Sequence, residues 1–300
     1  LNLERELGPL LKNGIKKDEP MSRHTSWRIG GPADYLVCPV DIEEIARVVR
    51  YSHLHGIPLL VCGNGSNLLV LDGGIRGLVM KIGSPFHYIR CEEGNRIRAG
   101  SGTPMPDLAR AAVRKGLAGL EFAGGIPGTL GGALIMNAGA YGGNIGSLVQ
   151  SVTVVDFQGR VLELARKEIE FGYRCSSLSS AGVVAEALLQ LEKGDPARSE
   201  ALLEHYLQER RRKHPQLPSC GSVFRNLPDQ PAGRLIEAAG GKGLRVGGAQ
   251  VSEQHANFIV NTGGATAKDV LALIRKVQQL VKKKFNIELH PEVKIVGVEN

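Results

Sequence analysis

Two glycine-rich segments carry the residue types best able to do chemistry. The first is Cys62-Gly63-Asn64-Gly65-Ser66-Asn67. Its glycines let a ligand approach the main chain where a Cβ would stand, and Asn64, Ser66 and Asn67 can donate hydrogen bonds to phosphate oxygens. It reads as an anion nest or as a tight turn rich in Asn and Gly. The second runs Gly124-Gly125-Ile126-Pro127-Gly128-Thr129-Leu130-Gly131-Gly132 and leads to Asn137-Ala138-Gly139-Ala140-Tyr141. Inside regular structure a glycine costs up to about 1 kcal/mol relative to alanine. So dense a run therefore needs either close backbone packing or a large ligand lying against it, and Thr129 and Asn137 weigh toward the ligand. Neither loop is a mononucleotide signature. No G-x-x-x-x-G-K-[ST] occurs, and Leu68 stands where the third glycine of G-x-G-x-x-G is required. What fits is a dinucleotide cradle made of two separated loops.

The elements around these loops must hold them in place. Asp41 is placed to cap a helix whose apolar residues Ile42, Ile45, Val48 and Val49 share one face, with Gly56 as its stop signal. The run 57–62 then reads as a buried strand that delivers the first loop, and a further strand begins near Ile75 after the Asp72-Gly73-Gly74 turn. Short strands are expected over 86–91 and 96–99. Pro104 and Pro106 open a helix over 107–115 that precedes the second loop. Strands follow over 152–156 and 183–191, the first ending in the turn Phe157-Gln158-Gly159-Arg160. A basic helix carrying Arg210, Arg211, Arg212 and Lys213 runs into Pro215 and Pro218. The last third holds an amphipathic helix over 267–284 and an extended stretch over 287–298.

At 300 residues the chain exceeds what one small core supports, so two or three packed regions are expected. Apolar content of 42% with 22% charged residues is ordinary for a globular protein, whereas 39 glycines are well above average usage and return attention to the loops. No apolar run approaches the roughly 20 residues of a membrane span, and the N-terminal stretch is charged and amphipathic, so the chain reads as cytoplasmic. The five cysteines are far apart, with no C-x-x-C pair, and indicate neither a disulfide frame nor a metal site. The net charge of +7 comes from positives interspersed with acids and without interleaved aromatics. That distribution suits small anionic ligands better than nucleic acid.

Further strings complete a pattern: Arg28-Ile29-Gly30-Gly31-Pro32-Ala33-Asp34, Gly221-Ser222-Val223-Phe224, Ala256-Asn257-Phe258-Ile259-Val260-Asn261 and Pro291-Glu292-Val293. Together with the two loops, and in the right order along nearly the whole chain, they resemble the UDP-N-acetylenolpyruvoylglucosamine reductase family. The resemblance implies an α+β fold: a two-part FAD-binding region of the vanillyl-alcohol-oxidase type plus a C-terminal α/β substrate domain. Residues 1–82 and 83–197 would be the two FAD-binding subdomains, 198–290 the substrate domain, and the tail 291–300 would return to the first subdomain. Non-covalent FAD would lie on Gly63, Asn64, Gly65, Ser66, Asn67, Gly125, Ile126, Pro127, Gly128, Thr129, Gly132, Asn137, Ala138 and Gly139. NADPH would reduce it, and the reduced flavin would convert the enolpyruvyl ether of a UDP-sugar to a lactyl ether for peptidoglycan synthesis.

By the same resemblance Arg174, after Tyr173, is the family's catalytic arginine, Ser222 its proton-donating serine and Glu292 its glutamate, while Asn226 and Lys213 fall to the substrate. The chemistry is consistent. Hydride arriving β to a carboxylate leaves enolate-like charge, which a bidentate arginine and a protonated carboxyl can stabilise while a hydroxyl protonates the carbon. The absence of a long insertion between Arg174 and Val183 resembles the shorter family type, which lacks a substrate-covering tyrosine loop. Local departures occur at Arg225-Asn226-Leu227-Pro228 and Gly240-Gly241-Lys242-Gly243, and bear on loop shape. Two other readings use the same residues: an FAD-dependent oxidase of a small alcohol or lactone, and a non-catalytic UDP-sugar-binding module.

Overall fold

A computed structural model describes residues 3–299 as two compact units, built from interleaved stretches of chain. Among the described residues unit 1 comprises 3–17, 35–63 and 77–210; unit 2 comprises 18–34, 64–76 and 211–299.

In unit 1 the helix Ile42–His55 begins where the Asp41 carboxylate accepts from Glu44 N at 2.8 Å. It ends at Gly56, whose φ of 63° is the left-handed conformation glycine adopts without a Cβ penalty. Ile45, Val48 and Val49 turn inward and share a core with Leu78 and Met80. The strand Leu59–Cys62 pairs in parallel with 78–81 and ends at the first loop. A second sheet has five antiparallel strands in the order Val161–Ala165, Val149–Val155, Val183–Gln190, Arg96–Gly100, Ile89–Glu92. The helix Met105–Arg114 contributes Met105, Leu108, Ala109 and Ala112 to the core that includes Ile97, Val152 and Leu189. The basic helix Pro196–Lys213 adds Leu203, and partly Tyr206 and Leu207, to the same core.

Two expected elements are corrected. The strand expected over 86–91 starts only at Ile89, because Ser84-Pro85-Phe86 forms a 3-10 turn with proline in its first turn. The extended stretch expected over 287–298 forms ladder only at Lys294–Val296. Before it, Asn286 in the left-handed conformation ends the preceding helix and Leu289 is buried, its carbonyl accepting from Gln278 Nε2 at 2.8 Å.

Unit 2 is organised by the helix Ala267–Phe285, whose buried residues Val270, Leu273, Ile274, Val277 and Val281 form one stripe. Its start is capped twice. Thr266 Oγ1 accepts from Asp269 N while Asp269 accepts from Thr266 N, the latter bond holding the Asp269 carboxyl below the usual carboxylate range. Asp72, nearly two hundred residues earlier, accepts from Ala267 N at 2.8 Å and Lys268 N at 2.9 Å. The helix packs with the antiparallel sheet Arg245–Val246, Ala249–Val251, Ile259–Asn261, and with Trp27, fully buried and donating Nε1–H to Ile259 O at 2.8 Å. The C-terminal strand Lys294–Val296 lies parallel to Leu68–Val70. Among the described residues no helix is long and apolar enough to cross a membrane.

Candidate functional site

The second loop is suspended in unit 1 by main-chain bonds to the turn that precedes the Met105–Arg114 helix. Leu130 N donates to Thr103 O at 2.8 Å, Gly131 N to Ser101 O at 2.9 Å, and Met105 N to Gly128 O at 3.1 Å. The first loop begins against it, for a Cβ on Gly63 would collide with the Thr129 side chain. The expected proximity of the two loops is thus present at the Gly63 end. Gly125 is pressed just as closely: a Cβ there would stand 2.5 Å from Arg210 Cδ. Gly132 is different. It is exposed and nothing lies within 4 Å of where its Cβ would be, so packing does not account for this glycine, and its main chain is open to a ligand.

These residues fit a large anionic cofactor on two further counts. Ser101, 1% exposed, keeps beside Gly131 a hydroxyl with no hydrogen-bond partner among the described residues, and a buried orphan of this kind is costly unless something fills it. Half-buried Arg210 likewise lays a cationic side chain against Gly125 of the loop. The groups that would hold FAD from unit 1 are the Gly125–Thr129 main chain, Thr129 and Gly132.

Asn137 plays a part the sequence does not reveal. Its amide donates to Gly172 O at 2.9 Å and its Oδ1 accepts from Gly146 N at 3.0 Å, so the side chain is spent inside the unit and its main chain is what it can offer a cofactor. The bond to Gly172 fixes the hairpin Phe171-Gly172/Cys175-Ser176, whose two-residue turn is Tyr173-Arg174. Arg174 sits there at φ 58°, a left-handed conformation that costs a non-glycine residue of order 1–3 kcal/mol and is typical of functional positions. Its guanidinium carbon lies 5.7 Å from the Tyr173 ring centroid.

The main-chain segments that bear Ser222 and Glu292 are neighbours in unit 2. Residues 223–225 run as an extended segment between two neighbours. On one side Val223 N donates to Asn257 O at 2.8 Å, while the Asn257 side chain accepts from Phe224 N and donates to Phe224 O, both at 2.9 Å. On the other, Glu292 N donates to Val223 O at 2.7 Å and Arg225 N to His290 O at 2.9 Å. The residue before this segment is Ser222, half-buried, and the residue bonded across it is Glu292. Burial, reinforced by the nearby Glu292 carboxylate, pushes the Cys220 thiol well up, so this cysteine is held as a neutral thiol.

The rest of the first loop belongs to this unit too. Gly65, at φ 60°, lies so close to His24 O and the Thr25 Cα that no Cβ fits. Asn67 donates to Glu292 O at 3.3 Å and accepts from Lys294 N at 3.0 Å, tying the loop's last residue to the glutamate segment. Asn226 is exposed, its Oδ1 accepting from Ala232 N at 3.0 Å to cap the helix Ala232–Ala238, and Lys213 is exposed at the end of the basic helix. The residue that sequence reasoning passed over is Asn257, 2% exposed. The signal was available: a lone amide inside the apolar string Ala256 to Val260 must be paired when buried.

Residues 33–165 match a family model described as FAD binding domain, and residues 213–296 one described as UDP-N-acetylenolpyruvoylglucosamine reductase, C-terminal domain. A relative from Moorella thermoacetica, named UDP-N-acetylenolpyruvoylglucosamine reductase, is 48% identical over 98% of this chain and 97% of its own length. One from Symbiobacterium thermophilum, UDP-N-acetylenolpyruvoylglucosamine reductase 2, is 48% identical over 94% and 92%. The crystal structure of UDP-N-acetylenolpyruvylglucosamine reductase from Thermus caldophilus superposes with a TM-score of 0.81 at 36% identity, covering 92% of this chain and 97% of that one.

Proposed function

The chain belongs to the UDP-N-acetylenolpyruvoylglucosamine reductase family, and from that premise we propose that it uses FAD and NADPH to reduce the enolpyruvyl ether of UDP-N-acetylglucosamine enolpyruvate to UDP-N-acetylmuramate, in the cytoplasm. The single observation in the structure that carries the reading is the bonding of Glu292 N to Val223 O. It sets the glutamate and the Ser222 segment side by side, although 69 residues of chain separate them. A module that merely binds a UDP-sugar needs no such pairing of an acid with a proton donor. The named relatives are reductases, which favours neither that reading nor an oxidase of small alcohols.

The roles follow from charge. FAD, when bound, supplies the hydride acceptor and donor. Arg174 grips the substrate carboxylate and, with Glu292 in its protonated form, neutralises the charge that builds on it as hydride reaches the neighbouring carbon. Ser222 delivers the proton to the carbon bearing that carboxylate, so the double bond gains one hydride and one proton. The first loop (Gly63, Asn64, Gly65, Ser66, Asn67), the second (Gly125, Ile126, Pro127, Gly128, Thr129, Gly132) and Asn137-Ala138-Gly139 hold the cofactor, while Asn226 and Lys213 serve the UDP-sugar. We assign 1–82 and 83–197 as the FAD-binding subdomains and 198–290 as the substrate domain. The tail 291–300 returns to the first, an assignment supported by the pairing of Lys294–Val296 with Leu68–Val70.

The test separates the half-reactions. In anaerobic stopped flow, Ser222→Ala is expected to bleach with NADPH at close to the parent rate and to be reoxidised by the enolpyruvyl UDP-sugar more than a hundredfold more slowly, since only the second half needs carbon protonation. Equal losses in the two halves would remove Ser222 from the proton-donor role. Rapid peroxide formation without a UDP-sugar would point to the oxidase.

A further inference from the structure

One turn of the basic helix touches both parts of the proposed cofactor cradle in unit 1. Tyr206 stacks on Tyr141 with ring centroids 4.1 Å apart and planes 7° from parallel, and Tyr141 Oη donates to Tyr206 O at 3.1 Å. Tyr141 itself stands at φ 52° at the tip of the hairpin Gly139-Ala140/Gly143-Asn144. Four residues after Tyr206, on the same face of the helix, Arg210 lays its aliphatic stem on Gly125, where only a glycine leaves room for it.

The charged end of Arg210 is anomalous within the unit. Arg47, Arg98, Arg110 and Arg160 each face a carboxylate. Arg210 makes no ion pair or side-chain hydrogen bond among the described residues. Desolvation lowers its pKa, and among the described residues the Tyr141 phenol is what opposes that shift. A half-buried guanidinium without a counter-charge is costly to hold, and such a group is kept where an anion joins it.

We propose that Arg210 is the positive charge that holds FAD on the second loop, facing either its diphosphate or the N1–C2=O edge of its ring, where negative charge settles once hydride has been received. The proposal rests on the assignment of the Gly125–Gly132 loop to FAD. The cofactor is the natural anion because the side chain lies on that loop. The diphosphate and the ring edge are two sources of one chemistry, and they separate on measurement.

The experiment compares Arg210→Met and Arg210→Lys with the parent in three assays: FAD affinity of the apoprotein by fluorescence, midpoint potential of the holoprotein by dye-coupled titration, and UDP affinity by perturbation of the flavin spectrum. If the diphosphate is the partner, Arg210→Met weakens FAD at least tenfold. If the ring edge is, oxidised FAD binds as before and the reduced form is destabilised tenfold, which for a two-electron couple is a fall of about 30 mV. Arg210→Lys retains most of either effect, because the charge remains. FAD affinity and potential that both stay within threefold overturn the proposal, as does a change confined to UDP, which would assign Arg210 to the substrate. Gly132→Leu is the companion variant, since nothing lies within 4 Å of where its Cβ would stand. If it weakens FAD while Arg210→Met does not, the loop assignment stands and the Arg210 proposal falls. If Gly132→Leu is silent, the loop assignment itself has failed.

Discussion

Replacing Asn257 with alanine probes the device that positions Ser222. The Asn257 side chain satisfies both main-chain groups of Phe224, N and O, at 2.9 Å each, in a place where Phe224 is 1% and Asn257 2% exposed. The main-chain carbonyl of residue 257 would survive the change and keep its bond to Val223 N. What is lost is the partner of two buried polar groups, each costing about 1–3 kcal/mol when orphaned. The expected destabilisation is therefore roughly 2–6 kcal/mol, a large share of the ~5–15 kcal/mol that holds a typical protein folded. In urea, with a slope of about 1–3 kcal/mol per molar, the midpoint should fall by roughly 2 M. Because Ser222 is two residues from Phe224, reoxidation by the UDP-sugar should slow while reduction by NADPH persists. Asn257→Asp refines the test: it keeps an acceptor for Phe224 N but sets a carboxylate oxygen against Phe224 O, and should be no more stable than the alanine variant. A loss below about 1 kcal/mol with an unchanged reoxidation rate would refute the claim that this amide holds the segment.

Two further outcomes test unit 2. Asp72→Ala removes the acceptor for Ala267 N and Lys268 N but leaves the Thr266–Asp269 box intact, so thermal unfolding should report a loss of about 1 kcal/mol, with Asp72→Asn recovering part of it. Burial pulls the His255 pKa below its usual 6.5, while its Nδ1 accepts from Asn257 N at 3.2 Å. A lowered folded pKa means that the unfolded chain takes up the proton first. Stability should accordingly be constant above the usual value and fall as pH drops through about 6.5 toward the folded pKa. Urea midpoints at pH 7.5 and 5.5 should differ less in His255→Gln than in the parent.

Local order in this protein is written in local chemistry. Asp41 and Gly56 bound a helix that the structure reproduces at both ends, and the apolar stripe from Val270 to Val281 announces the long C-terminal helix, because caps and periodicity act over a few residues. The glycine loops were legible as places where backbone must lie close to something, and the ordered strings along the chain were enough to point to the family. The catalytic assignments, by contrast, came only through that resemblance, since single polar residues carry little signal of their own.

What no local pattern specifies is partnership across distance. That Asp72 caps a helix beginning at Ala267, that Asn137 steadies the hairpin bearing Arg174, and that Glu292 is bonded beside Ser222 depend on which segments the hydrophobic cores bring together. Only tertiary structure decides this, because a buried polar group takes whatever partner packing places within about 3 Å, however far along the chain it lies.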